Sequence, residues 1–318
     1  MRKSVKALVL MSGGLDSMLA AKVLEKQGVA VTPLCFESWF FSCTGARKAA
    51  VAIGMELRVE NFSDAHLAVV KNPCHGRGGA ANPCIDCHLL MLQTAKKIME
   101  AEGYDIIATG EVVGQRSMSQ NRQSLDVIER EAGLAGILLR PLSARLLPET
   151  EAEKKGLADR SRLCGISGRS RDQQLALAKE LGIAYIPQPG GGCILTEADY
   201  GQKLAQLAQI CPNYEGLDAQ ILRFGRPFWE GSALFVVARN QEECQSLSDR
   251  VKTGDLLFEP VNFSGPAVLA RKFGGKIAKA EIESSGRKYL FQYSKKTPAN
   301  PEISVKIIGQ IEKSGQKG

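Results

Sequence analysis

Six residues near the start of the chain, Ser12-Gly13-Gly14-Leu15-Asp16-Ser17, have the types and spacing of a site for anions. The apolar run before them, residues 5–11, predicts a buried strand, and residues 15–27 predict a helix. Glycines let the backbone approach an anion closely, and the free N–H groups at a helix start point towards it. The stretch therefore predicts a phosphate-binding loop.

Three side chains of this loop are candidates for contacts with Mg²⁺ and with the phosphates. Asp16 is placed to hold Mg²⁺ beside the phosphates, and Ser12 and Ser17 are placed to donate hydrogen bonds. No lysine follows the second glycine, so the pattern differs from the phosphate loop G-x-x-x-x-G-K-[ST]. The predicted nucleotide-binding residues of this stretch are Met11, Ser12, Gly13, Gly14, Asp16 and Ser17.

Strand-like and helix-like segments alternate over the first half of the chain. Strands are predicted at residues 29–36, 55–61 and 104–109, and helices at 44–53, 63–70, 84–102, 172–181 and 197–210. Such alternation predicts an α/β fold with a parallel sheet, whose ligands bind beyond the carboxyl ends of the strands. Cys35 and Phe36 at the end of one predicted strand and Gly110 after another complete the predicted nucleotide pocket.

Residues beyond 212 change character. Short β-like runs at 220–224, 233–238 and 289–293, with a helix at 241–251, predict a small α+β domain, so the predicted domains are 1–212 and 213–318. Residues 271–296 hold eight Lys or Arg against two Glu, interleaved with Tyr289, Phe291 and Tyr293. Cations mixed with aromatic rings suit an RNA-binding groove, although a half-buried strand with a solvated face gives the same pattern.

Three cysteines stand where chemistry is expected. Cys84 and Cys87 share a face at a helix start, whose positive end should lower their pKa, and Cys193 follows three glycines. They could hold a [4Fe–4S] cluster with one open iron, or Zn²⁺ with a fourth ligand, or Cys87 and Cys193 could form a redox pair without metal. The candidate fourth ligands are Cys74, His75 and His88; Cys35, Cys164, Cys211 and Cys244 are interpreted as buried small hydrophobes.

Several charged residues are candidates for the chemistry. Arg116, Arg169 and Arg171 lie in small-residue loops and suit phosphate contact, although surface arginines are usually just solvated. Glu111 could bind Mg²⁺ or shuttle a proton, with a surface carboxylate as the alternative.

Composition sets the class of protein. The chain has 318 residues, 44% of them hydrophobic, and a net charge of +7, which permits a nucleic-acid partner. No apolar run approaches the roughly 20 residues of a membrane span, and the N-terminus lacks a signal-peptide pattern. We therefore expect a cytoplasmic protein without a membrane partner, in which the nine cysteines serve metal binding or catalysis rather than a disulfide framework.

The motif S-G-G-x-D-S at residues 12–17 resembles that of the PP-loop pyrophosphatases, which cleave ATP to AMP and pyrophosphate while adenylating a substrate oxygen. Together with N-P-C-x-x-C at 82–87 and G-G-C at 191–193, it is similar to the tRNA thiolation enzymes of the ThiI, MnmA and TtuA types, over roughly residues 5–200. The resemblance implies an adenine nucleotide alpha-hydrolase-like, Rossmann-like domain that uses ATP and Mg²⁺. It also implies tRNA as substrate, and sulfide or a persulfide carrier as sulfur donor.

The same resemblance assigns roles to the cysteines. In the MnmA type, N-P-D-x-x-C-N carries a catalytic cysteine that pairs with a distant one, which here implies Cys87 and Cys193. Cys84 replaces the aspartate of that pattern and makes a trio similar to the iron–sulfur enzymes of the TtuA type, which favours the cluster over the disulfide. The zinc-binding C-x-x-C pairs of the TtuA type do not occur, and the C-terminal part is more loosely similar to an NFACT-type RNA-binding module.

The predicted function is tRNA uridine thiolation: a base oxygen is adenylated, and sulfur then replaces it. The predicted catalytic residues are Asp16, Cys87, Cys193, Glu111 and Arg116, and the predicted metal ligands are Cys84, Cys87 and Cys193. The alternatives are an adenylating amidotransferase or ligase that acts on a small molecule and carries Zn²⁺, and a non-catalytic RNA-binding protein.

Overall fold

A computed structural model of the chain describes residues 4–188 and 193–308. The chain divides into two compact units, Met1–Thr196 and Glu197–Gly318. The division falls earlier than the predicted boundary after residue 212, because the helix at Ala198–Ile210 packs within the second unit. There its Tyr200 hydroxyl donates a hydrogen bond to the carbonyl of Ala219, 2.9 Å away.

The first unit is built on a parallel sheet of five strands in the order β3-β2-β1-β4-β5. The predicted parallel α/β fold is therefore confirmed. The chain runs from the central strand β1 outwards through β2 to β3, and then crosses to the other side of β1 for β4 and β5. The crevice for ligands therefore opens at the ends of β1 and β4, where the direction of winding reverses. The strands are β1 (Lys6–Leu10), β2 (Ala30–Glu37), β3 (Arg58–Asn61), β4 (Ile106–Thr109) and β5 (Leu138–Leu139).

Helices cover both faces of this sheet. Ala7 and Val9 of β1 face one apolar core, whereas Leu8 between them faces the other, as the two-residue period of a strand requires. Each core buries side chains from a different set of helices. The helices are α1 (Leu15–Glu25), α2 (Thr44–Ala52), α3 (Ser63–Lys71), α4 (Cys84–Glu102), α5 (Arg122–Glu131), α6 (Glu151–Lys154) and α7 (Asp172–Glu180).

The second unit carries an antiparallel sheet of five strands in the order β10-β8-β9-β7-β6. Its strands are β6 (Arg226–Glu230), β7 (Ala233–Val237), β8 (Leu256–Pro260), β9 (Val268–Lys272) and β10 (Ile303–Ile307). Its helices are α8 (Ala198–Ile210), α9 (Gly216–Ile221), α10 (Gln241–Ser248) and α11 (Lys279–Gln292). Across residues 4–188 and 193–308, no helix combines the length and the apolar character needed to cross a membrane.

Two β-like runs of the sequence are helical in the structure. Residues 289–292 belong to α11, and residues 220–221 end α9, so the strands predicted at 289–293 and 220–224 are wrong. The buried residues of α11 are Ile282, Gly286 and Leu290, which are four apart as on one face of a helix. The alternating aromatic residues conceal this period. Gly286 has to lack a side chain, because a methyl group there would lie 2.3 Å from the ring of Phe258.

One cation of the basic stretch is not on the surface. Arg271 is 1% exposed and donates hydrogen bonds to Asp218 at 2.9 Å and to Asp255 at 2.6 Å. It therefore neutralises two buried carboxylates of the second unit and cannot contact RNA. The stretch that the sequence presents as uniformly basic divides into this structural arginine and a group of exposed cations.

We predict that Arg271→Ala destabilises the second unit by about 3–5 kcal/mol, because it removes the cation that pairs with buried Asp255 and leaves buried Asp218 with Lys252 alone. Urea unfolding followed by circular dichroism measures the loss. The neighbouring Lys272→Ala removes an exposed cation of the same strand and should change stability by less than about 0.5 kcal/mol. Equal stability of both variants would contradict the structural role of Arg271.

Candidate nucleotide and thiol site

The glycine loop, residues 12–17, joins the end of β1 to the start of α1, as predicted. Gly14 is the residue at the N-terminal cap of α1, and the Ser17 hydroxyl donates to its carbonyl at 2.8 Å. Ser12 and Gly14 are exposed, so the part of the loop that precedes α1 is open to a ligand. This is the geometry that binds phosphate at a helix start.

Two glycines allow the chain to close tightly around this loop. Gly13 has φ of +90°, and a methyl group there would lie 2.4 Å from the carbonyl carbon of Gly45 in α2. A methyl group at Gly110, just after β4, would lie 2.5 Å from the backbone nitrogen of Ser17. The glycine loop is therefore packed backbone to backbone against α2 and against the end of β4.

Asp16 is prepared for a cation. Its Oδ2 accepts a hydrogen bond from the Gln115 amide at 3.0 Å. Its Oδ1 is buried and has no hydrogen-bond partner within the described residues. A buried carboxylate oxygen without a donor costs free energy unless a ligand supplies the positive charge. The site therefore fits Mg²⁺, and Gln115, which the sequence analysis missed, orients the ligand oxygen.

Predicted phosphate-binding arginines lie in loops that meet beside Gln115. The backbone N–H of Gly168 donates to the carbonyl of Val113 at 2.8 Å, which joins the loop after β4 to the loop before α7. Arg116 and Arg169 are exposed on these loops. The structure thus brings two segments far apart in sequence to one place, and leaves these arginines open to solvent.

Two residues near the end of β2 differ from their predicted role. Cys35 forms a disulfide with Cys43 instead of remaining a free buried thiol. Phe36 is buried and packs against Phe62, with ring centroids 4.9 Å apart. Both side chains therefore point into the protein interior, and a nucleotide at this edge would meet backbone atoms. The turn at residues 38–43 brings Cys43 back to β2, which no local sequence pattern shows.

The three predicted sulfur ligands are neighbours. The Ala81 N–H donates to the carbonyl of Leu195 at 3.1 Å, which brings the segment of Cys193 to the loop before α4. Burial raises the pKa of Cys87, and the nearby thiols of Cys193 and Cys84 raise it further. Burial likewise raises the pKa of Cys193. The expected lowering of the Cys87 pKa by the helix start is therefore wrong, because loss of solvent outweighs the helix dipole.

The donor types suit a metal, but the ligand set is not assembled in this structure. Within residues 4–188 and 193–308, no three His, Cys, Asp or Glu side chains are arranged to hold a metal ion. Three neighbouring thiols are the donors that an iron–sulfur cluster or zinc requires. The Asn82 amide also donates to the Cys84 sulfur at 3.1 Å, as second-sphere groups do around bound sulfur.

His75 connects the loop before α4 to the first turn of that helix. Asp86 of α4 accepts hydrogen bonds from the backbone N–H groups of Cys74 and His75 and pairs with His75 Nδ1 at 2.9 Å. His75 Nε2 lies 3.2 Å from Glu131. The hydrogen bond to Asp86 raises the pKa of His75. Because both ring nitrogens are engaged, His75 is a poor candidate for the fourth zinc ligand.

Glu111 lies at the centre of a buried charge network. It accepts hydrogen bonds from Thr109 and Arg140 at one oxygen, and its other oxygen lies 3.0 Å from His88 Nδ1. Burial opposes its ionisation, but the charge of Arg140 and the hydrogen bonds from His88 and Arg140 lower the pKa of Glu111 to about 2. Both oxygens are occupied by the protein, so this geometry favours a role in orienting His88 over Mg²⁺ binding. His88 and Arg140 gave no sequence signal for this role.

The same strand end connects the two halves of the site. Gly110 contacts the glycine loop at Ser17, and the next residue, Glu111, holds His88, which follows Cys87 directly. The phosphate-binding loop and the cysteine-bearing start of α4 are therefore separated by one short piece of chain. A phosphate at the loop and sulfur at α4 lie in one neighbourhood.

Comparison with known proteins agrees with this geometry. Residues 3–145 match the family model described as "Thiamine biosynthesis protein (ThiI)". The match covers the glycine loop, β1 to β5 and the first two cysteines of the site. This part of the first unit is therefore similar to the ThiI family.

Curated relatives share this part of the chain. The chain is 33% identical over 146 residues to a "Probable tRNA sulfurtransferase" of Caldanaerobacter subterraneus subsp. tengcongensis, a match that covers 43% of this chain and 36% of the relative. It is 25% identical over 237 residues to "tRNA-specific 2-thiouridylase MnmA 2" of the same organism, covering 66% of this chain and 60% of the relative. The chain thus spans less than two thirds of the length of either relative.

A search of solved structures finds weaker likeness. A predicted subunit of tRNA methyltransferase from Methanocaldococcus jannaschii is 20% identical and covers 60% of this chain and 96% of its own. The TM-score of 0.34 is too low to carry an argument.

We predict that Gly13→Ala weakens ATP binding at least about tenfold, because its methyl group meets the α2 backbone and its positive φ disfavours a side chain. Isothermal titration with a non-hydrolysable ATP analogue measures the affinity. Gly45→Ala is the matched control, since its methyl group would lie at an ordinary 3.8 Å from the Ser12 carbonyl oxygen. Unchanged affinity of Gly13→Ala would show that the loop does not hold the nucleotide.

We predict that Gln115→Ala raises the Mg²⁺ concentration required for ATP binding by about tenfold, because a hydrogen bond to a charged group contributes about 1.5–3 kcal/mol. The measurement compares ATP affinity over a Mg²⁺ series and without Mg²⁺. The exposed Gln173→Ala is the control. An equal loss of affinity with and without Mg²⁺ would instead indicate general damage to the pocket.

Proposed function

We propose that this chain is an ATP-dependent enzyme that thiolates a uridine in tRNA. The observation that supports it best is the short connection from the glycine loop through Gly110 and Glu111 to His88 and the cysteines of α4. An activating nucleotide and a sulfur nucleophile then share one neighbourhood, as thiolation requires. The relatives named tRNA sulfurtransferase and tRNA 2-thiouridylase support the same reaction.

The first step activates the base. A carbonyl oxygen of uridine is a poor leaving group, so it attacks the α-phosphate of ATP, and the bond to pyrophosphate breaks. Backbone N–H groups at Gly13 and Gly14 bind the phosphates, and Asp16 holds Mg²⁺ through the oxygen that has no protein donor. Exposed Arg116 and Arg169 neutralise the developing phosphate charge.

The second step transfers sulfur. A sulfur nucleophile at Cys87 attacks the activated carbon, and AMP leaves with the original oxygen. Cys84, Cys87 and Cys193 would hold a [4Fe–4S] cluster, which supplies an open iron position for sulfide when bound. His88, fixed by Glu111, stands one residue from Cys87 and orders this edge of the site.

A route without metal uses the same cysteines. A persulfide on Cys87, loaded by a carrier, attacks the activated carbon with its outer sulfur and releases AMP. The Cys193 thiol then attacks the inner sulfur, which frees the thiolated base and leaves a Cys87–Cys193 disulfide. A thiol reductant returns both cysteines to the reduced form. Zn²⁺ at the thiols, with a small-molecule substrate, remains the alternative outside RNA chemistry.

Substrate capture is assigned to the second unit. Its exposed cations suit a polyanion, and the first unit provides the chemistry. The enzyme is proposed to act in the cytoplasm, where its tRNA substrate and ATP are found.

The test incubates anaerobically purified protein with ATP labelled at the α-phosphate, Mg²⁺, sulfide or a persulfide donor, and unmodified tRNA. We expect labelled AMP and thiouridine that form only with tRNA present. Asp16→Asn should stop transfer of the label to tRNA, Cys87→Ser should leave the label on tRNA as the adenylate with neither AMP release nor thiouridine, and Cys164→Ser, a free thiol with no assigned role, is the control. Iron and acid-labile sulfide in the purified protein separate the cluster route from the persulfide route. AMP formation with a small molecule and without tRNA would overturn the proposal.

A further inference from the structure

Three aromatic rings of the second unit stand in a row with a cation at each end. Phe228 and Tyr289 are stacked, with ring centroids 4.8 Å apart, and Tyr293 lies 5.7 Å from Phe228. The Arg226 guanidinium is 5.3 Å from the Tyr293 ring centroid, and Lys288 Nζ is 5.9 Å from that of Tyr289. We call these five residues the aromatic ladder.

The ladder is built by two elements that the fold holds together. Arg226 and Phe228 are two residues apart on β6 and so share one face of this edge strand. Tyr289 lies near the end of α11, and Tyr293 ends that helix. The Tyr289 hydroxyl donates to Glu230 at 2.9 Å, which fixes the ring against β6. The rings are therefore positioned before any partner arrives.

The cations of this surface are free to contact a partner. Arg226, Arg287, Lys288, Lys295 and Lys296 are all exposed. No carboxylate of the described residues forms an ion pair with any of them, whereas Lys279 pairs with Glu283 and Lys306 pairs with Glu259. The three rings are themselves partly exposed. Positive charge and aromatic surface are thus offered together, without internal neutralisation.

We propose that the aromatic ladder is the surface on which this chain holds unpaired nucleotides of its RNA substrate. Unpaired bases stack on aromatic side chains, and neighbouring Lys and Arg contact the phosphates. Glu230 at the edge of Tyr289 repels phosphate, so the backbone runs at the Arg226 end, near Lys295 and Lys296. The inference rests on the proposed function for the identity of the RNA, because a thiolase must hold a strand whose target base is unstacked.

The test measures binding of the full chain to a fluorescein-labelled unmodified tRNA transcript and to labelled oligouridine by fluorescence anisotropy. Arg226→Ala/Lys295→Ala should weaken both affinities at least about tenfold and lower the salt slope by about 2, one for each lost phosphate contact. Lys279→Ala/Lys306→Ala removes the same charge away from the ladder and should weaken binding less than about threefold. Equal losses in the two double variants would overturn the proposal.

Stacking is tested separately from charge. Tyr293→Phe should retain RNA affinity, and Tyr293→Leu should lose about fivefold to tenfold, because base–aromatic stacking contributes about 1–3 kcal/mol. Thermal unfolding confirms that both variants fold. Unchanged affinity of a folded Tyr293→Leu would overturn the proposal. An affinity for oligouridine no higher than the affinity for an acidic peptide, measured at the same chloride concentration, would also overturn it.

The outcomes also separate this inference from the proposed function. Ladder-dependent RNA binding in a protein that forms no AMP would retain the inference and overturn the thiolation reaction. Formation of AMP and thiouridine, with an RNA affinity that the ladder variants leave unchanged, would retain the thiolation reaction and overturn the inference.

Discussion

A close backbone-to-backbone contact between the end of β4 and the start of α1 positions the parts of the site in the first unit. Gly110 brings its backbone so near to Ser17 that any side chain there would collide with α1. The residue that follows, Glu111, is consequently delivered beside the glycine loop and points towards α4. The relative position of the glycine loop and the start of α4 depends on this close approach, because Gly110 contacts the loop at Ser17 and Glu111 contacts His88 of α4.

Burial of the Glu111 carboxylate costs hydration free energy, which its interactions with neighbouring charged and polar side chains offset. The side chains of Glu111 and Arg140 are 8% and 2% exposed, so both lose most of their hydration. Their mutual attraction, with His88 and Glu129, compensates for that loss and keeps the carboxylate ionised. Burial also acts on the thiols nearby, where it raises the pKa of Cys87 and of Cys193 and so disfavours the thiolate.

The second unit uses basic residues in two distinct ways. Arg271 is buried between carboxylates and stabilises the fold, whereas the cations around α11 face solvent. Charge counted along the chain combines the two groups. Only burial and pairing show that the positive surface begins at the edge strand β6 and follows the end of α11. There it coincides with aromatic rings rather than with the sheet face that the sequence pattern indicated.

Local sequence determined much of this protein. The glycine loop, the alternation of strands and helices and the start of α4 follow from short-range patterns: glycine pairs, apolar periods of 2 and 3.6, and Pro83 before a helix. The parallel α/β class and the position of residues 12–17 between a strand and a helix were accordingly predicted. The same reasoning predicted a strand at residues 289–293, which is wrong. Aromatic residues alternate there, whereas the buried face of α11 repeats every four residues.

Tertiary structure decided which distant residues meet. Gln115 reaches Asp16 across 99 positions of sequence, Arg140 reaches Glu111 across 29, and Cys43 returns to Cys35 through a turn. Gln115, Arg140 and Cys43 carry no local signal, because the partner of each is set by the packing of strand ends and loops. The protonation of the thiols was decided in the same way: a helix start favours a thiolate, but the burial that opposes it exists only once the chain has folded.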